Sequence, residues 1–140
     1  MAAGGEALGA GGYRRAVARA EFAQSAVAVS AEPHAWSLDL AASHGGPGAQ
    51  PDPVTAFLGS LCGCLLMSLR VLGKSGLRGA SCSAEANAKG YVRQIAVELV
   101  LDGDASDDAL AADVARAEKG CFVRELIGSH VDVATTWRRA

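Results

Sequence analysis

The sequence predicts an α+β fold, an antiparallel sheet with a long buried central helix. Three observations carry this. Short segments with partial two-residue alternation recur on both sides of residue 53. Between them, Pro53 to about Gly73 is apolar at helical spacing and too long for a strand. The resulting order is three strands, a long helix, two strands, two helices and one strand, which is the segregated pattern of α+β domains.

The elements follow in chain order. Residues 1–12 are a flexible Gly/Ala-rich tail, and 13–140 form one domain. YRRAVARAEF, QSAVAVSAE and HAWSLDLAA are the first three strands, though Ala weakens each. SHGGPGAQPDP is a loop with three glycines and three prolines. Asp52 is placed to cap the helix and Pro53 to open it, where a missing N–H does no harm. Val54, Phe57, Leu58, Leu61, Leu65 and Leu72 form one stripe of that helix, with Leu66, Met67 and Leu69 on the other side. Such a helix is apolar nearly all round, so a second subunit is expected to cover what one small sheet leaves open. Gly76 marks its stop. Two strands then pair through a turn near Lys89–Gly90. The second alternates best, at Val92, Ile95, Val97, Leu99 and Leu101, with a slip between 92 and 95. Ser106, Asp107 and Asp108 start a helix reaching about Lys119. Cys121 to Ile127 is a short helix, and HVDVATTW is the last strand.

Composition excludes several function classes. Half of the 140 residues are hydrophobic, so a core forms without staples. The net charge is −2 without a long charged run, which argues against nucleic-acid or membrane-surface binding through charge. The N-terminus lacks a signal-peptide pattern, and no apolar run is read as long enough to span a membrane. The protein is therefore expected in the cytoplasm, where four cysteines are reduced, metal-bound or catalytic rather than a disulfide framework. No cofactor motif is found: neither GAGG nor SHGGPG follows a strand into a phosphate-binding pattern. Asp102 to Asp108 reads as helix capping rather than a Ca²⁺ loop. His34, His44 and His130 are scattered, and Trp36 and Trp137 are core or interface candidates.

The chemistry lies with the cysteines. Cys62 and Cys64 are two apart on the long helix, hence roughly 200° apart around it. They can neither bond to each other nor chelate one metal, and C-x-C is the wrong spacing for zinc. Cys64 lies on the apolar stripe with Phe57 and Leu61 and is shielded. Cys62 lies opposite, with Thr55, Gly59 and Leu66. Cys121 opens the short helix, where unpaired N–H groups favour a thiolate. Cys82 is a strand residue with a packing role. On spacing alone two readings stay open: a redox pair on separate elements, or small buried hydrophobes.

PDPVTAFLGSLCGCLLMSLRVLGKSGL resembles the central helix of the OsmC/Ohr family (osmotically inducible protein C and organic hydroperoxide resistance protein). Members carry a Gly/Pro loop, a helix-starting Pro, small residues, and a peroxidatic Cys eleven residues after that Pro. Pro53 and Cys64 have this spacing, and Cys62 falls on a small-residue position. The family's second motif, a Cys at the start of a late helix, resembles Cys121-Phe122-Val123-Arg124-Glu125-Leu126, with Phe in place of Pro. HAWSLDLAASHGGPGAQPDP resembles the strand and loop that precede the helix. The element order agrees from about Tyr13 to Trp137.

The resemblance implies an intertwined homodimer with two active sites at the subunit interface. It implies reduction of organic hydroperoxides, and often hydrogen peroxide, with Cys64 peroxidatic and Cys121 resolving. The first Cys becomes a sulfenic acid, the second condenses with it to a disulfide, and a lipoyl-linked or small dithiol reduces that disulfide. Active members also carry an Arg from the N-terminal strand region, held by a Glu directly after the helix-starting Pro. Here that position is Val54, followed by Thr55, and neither can form an ion pair. Arg14, Arg15 and Arg19 are the thiolate-stabilising candidates, against the alternative of a solvated edge strand. The rival function is a non-catalytic dimer that binds a small apolar ligand at the same interface.

Overall fold

A computed structural model describes residues 16–23, 26–87 and 90–140. The proposed tail, Arg14, Arg15 and Lys89 of the expected turn lie outside the described residues. The chain divides into two compact units between Pro53 and Val54.

The first unit is a three-stranded antiparallel meander: β1 (Arg19–Ala23), β2 (Ala26–Ala31) and β3 (His34–Asp39). Arg19 lies opposite Ser30, and Val29 lies opposite Trp36. Val29 is its buried apolar residue, while Phe22 and Trp36 are exposed. Asp39, also buried, fastens the following loop. Its carboxylate accepts the Gln50 N–H at 2.8 Å, and its own N–H donates to the Pro51 carbonyl at 3.1 Å. The loop includes a short 3-10 turn at Ala42–His44 that the sequence reading left out.

The second unit holds the long helix, α1 (Pro53–Leu72), then β4 (Gly79–Ala86), β5 (Gln94–Asp102), α2 (Asp107–Gly120), α3 (Phe122–Ile127) and β6 (Asp132–Arg139). The sheet order is β4-β5-β6. β4 and β5 are antiparallel, with Cys82 opposite Leu99. β5 and β6 are parallel, with Leu99 opposite Trp137. A parallel neighbour needs a long crossover, and α2 and α3 supply it.

β5 is the centre of the core, and its alternation explains why. Ile95, Val97, Leu99 and Leu101 all point to one face and are buried. Two clusters form on that face. One joins Leu69 to Leu99, Leu101 and, from α2, Leu110, Val114 and Ala117. The other joins Leu61 and Leu65 to Ile95, Val97 and Cys121. The buried stripe of α1 is thus Leu61, Leu65 and Leu69, four residues apart. This corrects the placement of Leu69 on the opposite side. Val54, Phe57 and Leu72, assigned to the stripe, are exposed at the helix ends, and Met67 and Val71 are more so, at 71% and 78%. A second correction concerns length. α1 has 20 residues and mean hydropathy 1.7, long and apolar enough by composition to cross a membrane. Its leucine stripe, however, packs in the core of its own unit, as that of a core helix does.

The C-terminal end of α1 is set by glycine and by one acid. A Cβ on Gly73 would lie 2.5 Å from the Leu69 carbonyl oxygen, and Gly76 sits at φ 66°, where side chains are strained. Asp113, fully buried on α2, accepts the N–H groups of Lys74 at 2.9 Å and Ser75 at 3.0 Å, and pairs with Arg116. α2 starts as expected, with Ser106 Oγ accepting the Ala109 N–H at 3.2 Å.

Candidate active site

Cys64 and Cys121 are 57 positions apart, yet the fold brings them together: Cys121 is in the second core cluster and Cys64 packs against it. Cys121 is only 1% exposed and Cys64 is half-buried. The reason is the break between α2 and α3. Cys121 has an extended backbone, with φ −81° and ψ 109°, so the chain turns there and starts a new helix. The Ser68 hydroxyl, one turn after Cys64, donates to the Gly120 carbonyl at 3.3 Å and ties α1 to this break.

Electrostatics separate the two thiols. Burial pushes Cys64 up, but the Val123 N–H, the Cys121 thiol, the Phe122 N–H and the Ser68 hydroxyl outweigh it. Cys64 therefore titrates below an ordinary cysteine. Burial pushes Cys121 up. The N–H groups of Arg124 and Val123 oppose this, while the hydrogen bond and charge of Cys64 reinforce it, and the net direction is upward. Cys121 Sγ accepts the Arg124 N–H at 3.4 Å, as an N-cap side chain would. The sequence reading made Cys121 ionisable and Cys64 shielded. The structure reverses these assignments: Cys121 is the more deeply buried thiol, and the Val123 and Phe122 N–H groups favour the Cys64 thiolate.

The arginines stand differently. Arg19 is exposed on β1 in the first unit. In the second unit, Arg124 follows Cys121 by three, but its guanidinium turns elsewhere. It donates to the Val133 carbonyl at 3.3 Å and lies 3.8 Å from the Glu118 carboxylate. It clamps α3 to β6 and α2. Among the described residues, the groups that favour the Cys64 thiolate are the Val123 and Phe122 N–H groups, the Cys121 thiol and the Ser68 hydroxyl.

One contributor escaped the sequence reading. Ser68 had a usable signal, since it follows Cys64 by four on one helix face. Cys82 has the packing role expected of it, against both core clusters. Burial, then Cys62 and Cys121, push Cys82 up to about 12. All four cysteines are free. Among the described residues no group of three or more His, Cys, Asp or Glu side chains could hold a metal.

The OsmC-like protein family model matches residues 45–136. An OsmC-like protein from Mycoplasma pneumoniae superimposes with a TM-score of 0.81 at 14% identity, over 91% of this chain and 98% of that one. An organic hydroperoxide resistance protein, OsmC, from Legionella pneumophila gives 0.73 at 21% identity, over 89% and 96%. An organic hydroperoxide resistance protein from Elizabethkingia anophelis, with thiocyanate bound, gives 0.76 at 13% identity, over 91% and 97%. No curated protein matches the chain.

Proposed function

Because the chain belongs to the OsmC-like protein family, we propose that it is a thiol-dependent hydroperoxide reductase with Cys64 peroxidatic and Cys121 resolving. The observation that carries this reading is the packing of Cys64 against the core cluster that holds Cys121, in surroundings that push the Cys64 thiol down and the Cys121 thiol up. Attack on a peroxide needs a thiolate, and Cys64 is the thiol whose surroundings favour one.

The chemistry follows from the donors. The Cys64 thiolate attacks one peroxide oxygen, the O–O bond breaks, and the alkoxide leaves with a proton as the alcohol. Cys64 is then a neutral sulfenic acid. Burial still pushes Cys121 up, but the part of the rise owed to the Cys64 hydrogen bond and charge is removed, while the Arg124 and Val123 N–H groups that favour its thiolate remain. Cys121 attacks the Cys64 sulfur, the S–S bond forms and water leaves. The Val123 N–H at the start of α3 thus favours first one thiolate, then the other. A dithiol of the lipoyl or small-molecule class restores both thiols.

A homodimer belongs to this proposal. Met67 and Val71 lie on the α1 flank that carries Cys64, at spacings of three and seven, and are exposed. Phe122 and Leu126, four apart on α3, are 79% and 82% exposed. A second copy covering these residues would enclose an apolar approach to Cys64. Val54, standing where a carboxylate would fix an arginine, supports the rival reading of a dimer that binds an apolar ligand without turnover.

The deciding experiment is intact mass and peptide mapping after one equivalent of cumene hydroperoxide, on wild type and Cys64→Ser. A Cys64–Cys121 disulfide in wild type alone is the expected result. Unchanged thiols in both proteins would overturn the peroxidase reading and leave the ligand-binding one.

A further inference from the structure

α3 has six residues, too few to hold a helix in place without anchors from the rest of the fold. Val123 and Ile127 supply apolar anchors, packing against the cluster that holds Cys121. Arg124, between them, is the polar anchor. Its Nη2 donates to the Val133 carbonyl on β6 at 3.3 Å. Its Nε lies 3.8 Å from the Glu118 carboxylate on α2, beyond hydrogen-bond range, so charge joins these two. Both side chains are half-buried, where solvent ions screen a pair less than on the open surface. The main chain of the same residue reaches the thiol, since the Arg124 N–H donates to Cys121 Sγ at 3.4 Å.

We propose that Arg124 is a positioning residue for disulfide closure: by holding α3 to α2 and β6, its guanidinium keeps the Cys121 thiol within reach of the Cys64 sulfur. The inference rests on the assignment of Cys64 and Cys121 as the redox pair. In closure the Cys121 thiolate attacks the Cys64 sulfur and the S–S bond forms. The group on that sulfur leaves with its electron pair. From a sulfenic acid it is hydroxide, which takes the Cys121 proton and departs as water; from a mixed disulfide it is a thiolate. The rate depends on how often the two sulfurs meet in line. A thiol on a loosely held segment meets its target less often than one on a fixed segment. The guanidinium touches neither sulfur and acts through α3.

Closure is read with dithiodipyridine, which caps Cys64 as a mixed disulfide without any peroxide. The full chain carries Cys62→Ser, so the tryptic peptide ending at Arg70 holds Cys64 alone. Samples are quenched with acid over time and mapped without reduction. The rate followed is the conversion of capped Cys64 to the Cys64–Cys121 disulfide, which counts only Cys64 that has already reacted. In Arg124→Ala this conversion is expected to slow about tenfold. Arg124→Lys, which retains the charge and a donor, is expected to restore most of the rate. Asp113→Asn weakens the fold at the end of α1 and is expected to leave the rate unchanged. Equal rates with and without Arg124→Ala, or an equal slowing in Asp113→Asn, overturn the proposal. Capped Cys64 that never converts in the Cys62→Ser chain overturns it too. If circular dichroism shows that Arg124→Ala does not fold, Glu118→Gln carries the test, since it keeps Arg124 and its bond to Val133. Slower conversion is then expected, and an unchanged rate overturns the proposal. The expected order of rates in a chain inert to cumene hydroperoxide would remove the peroxidase reading and leave this one standing.

Discussion

Cys64 shows how much of a residue's chemistry lies outside its own element. Helical spacing places it on a flank of α1 near the leucine stripe. Its lowered titration comes from groups on another element, the Val123 and Phe122 N–H groups, the Cys121 thiol, and from Ser68 one turn on. A thiol whose pKa is depressed reacts as thiolate from a lower pH upward, and above its pKa the rate no longer rises. The expected iodoacetamide profile of Cys64 therefore has its midpoint below that of free cysteine. Cys121→Ala removes a donor to the thiolate and moves the midpoint back up, and Cys64 sulfenic acid accumulates after peroxide for want of a resolving thiol. An unmoved midpoint in Cys121→Ala would separate the two thiols functionally. Spacing did not single out Cys64 and Cys121 as redox candidates; the motif resemblance did. Their charge states needed the neighbours.

At the scale of elements, capping was legible and anchoring was not. Ser106 announces the start of α2 from the Asp107-Asp108 pair after it, and the structure agrees. Nothing in the sequence shows that Asp113, inside α2, holds the chain leaving α1. Burial raises its carboxyl, but the Lys74 N–H, the Ser75 hydroxyl, Arg116 and the Ser75 N–H hold it at about 2. A folded pKa below the unfolded one stabilises the protein at pH values above the unfolded pKa. That stability is lost as pH falls from about 4 toward the folded value. Asp113→Asn is expected to lose on the order of 2 kcal/mol at pH 7 by urea denaturation. The wild-type advantage should shrink as the pH approaches the folded value. An equal difference at pH 7 and at pH 2 would remove the carboxylate from the account. Arg124 plays a comparable part for α3, joining it to Glu118 on α2 and to Val133 on β6.

For the whole molecule, the question is what covers the apolar flank beside Cys64. Met67, Val71, Phe122 and Leu126 are large, apolar and exposed on the chain by itself. A cluster of this kind marks an association surface more often than single exposed residues do. The expected outcome is a dimer by sedimentation velocity, with Met67→Glu and Leu126→Glu together shifting it to monomer at micromolar concentration. A monomeric wild type would place the cover elsewhere.

The sequence by itself determined the order of elements, the alternation of β5 and the extent of α1, and by resemblance it offered Cys64 and Cys121 as candidates. These rest on local periodicity and motif spacing, which report the face a residue occupies. Tertiary structure decided what stands opposite that face. It made β6 a parallel neighbour of β5, moved Leu69 into the buried stripe, and gave Cys64 its N–H donors from α3. Each of these is a contact between segments distant in the chain. Periodicity fixes the direction of a side chain within its element but holds no information on which distant segment the packing will bring to meet it.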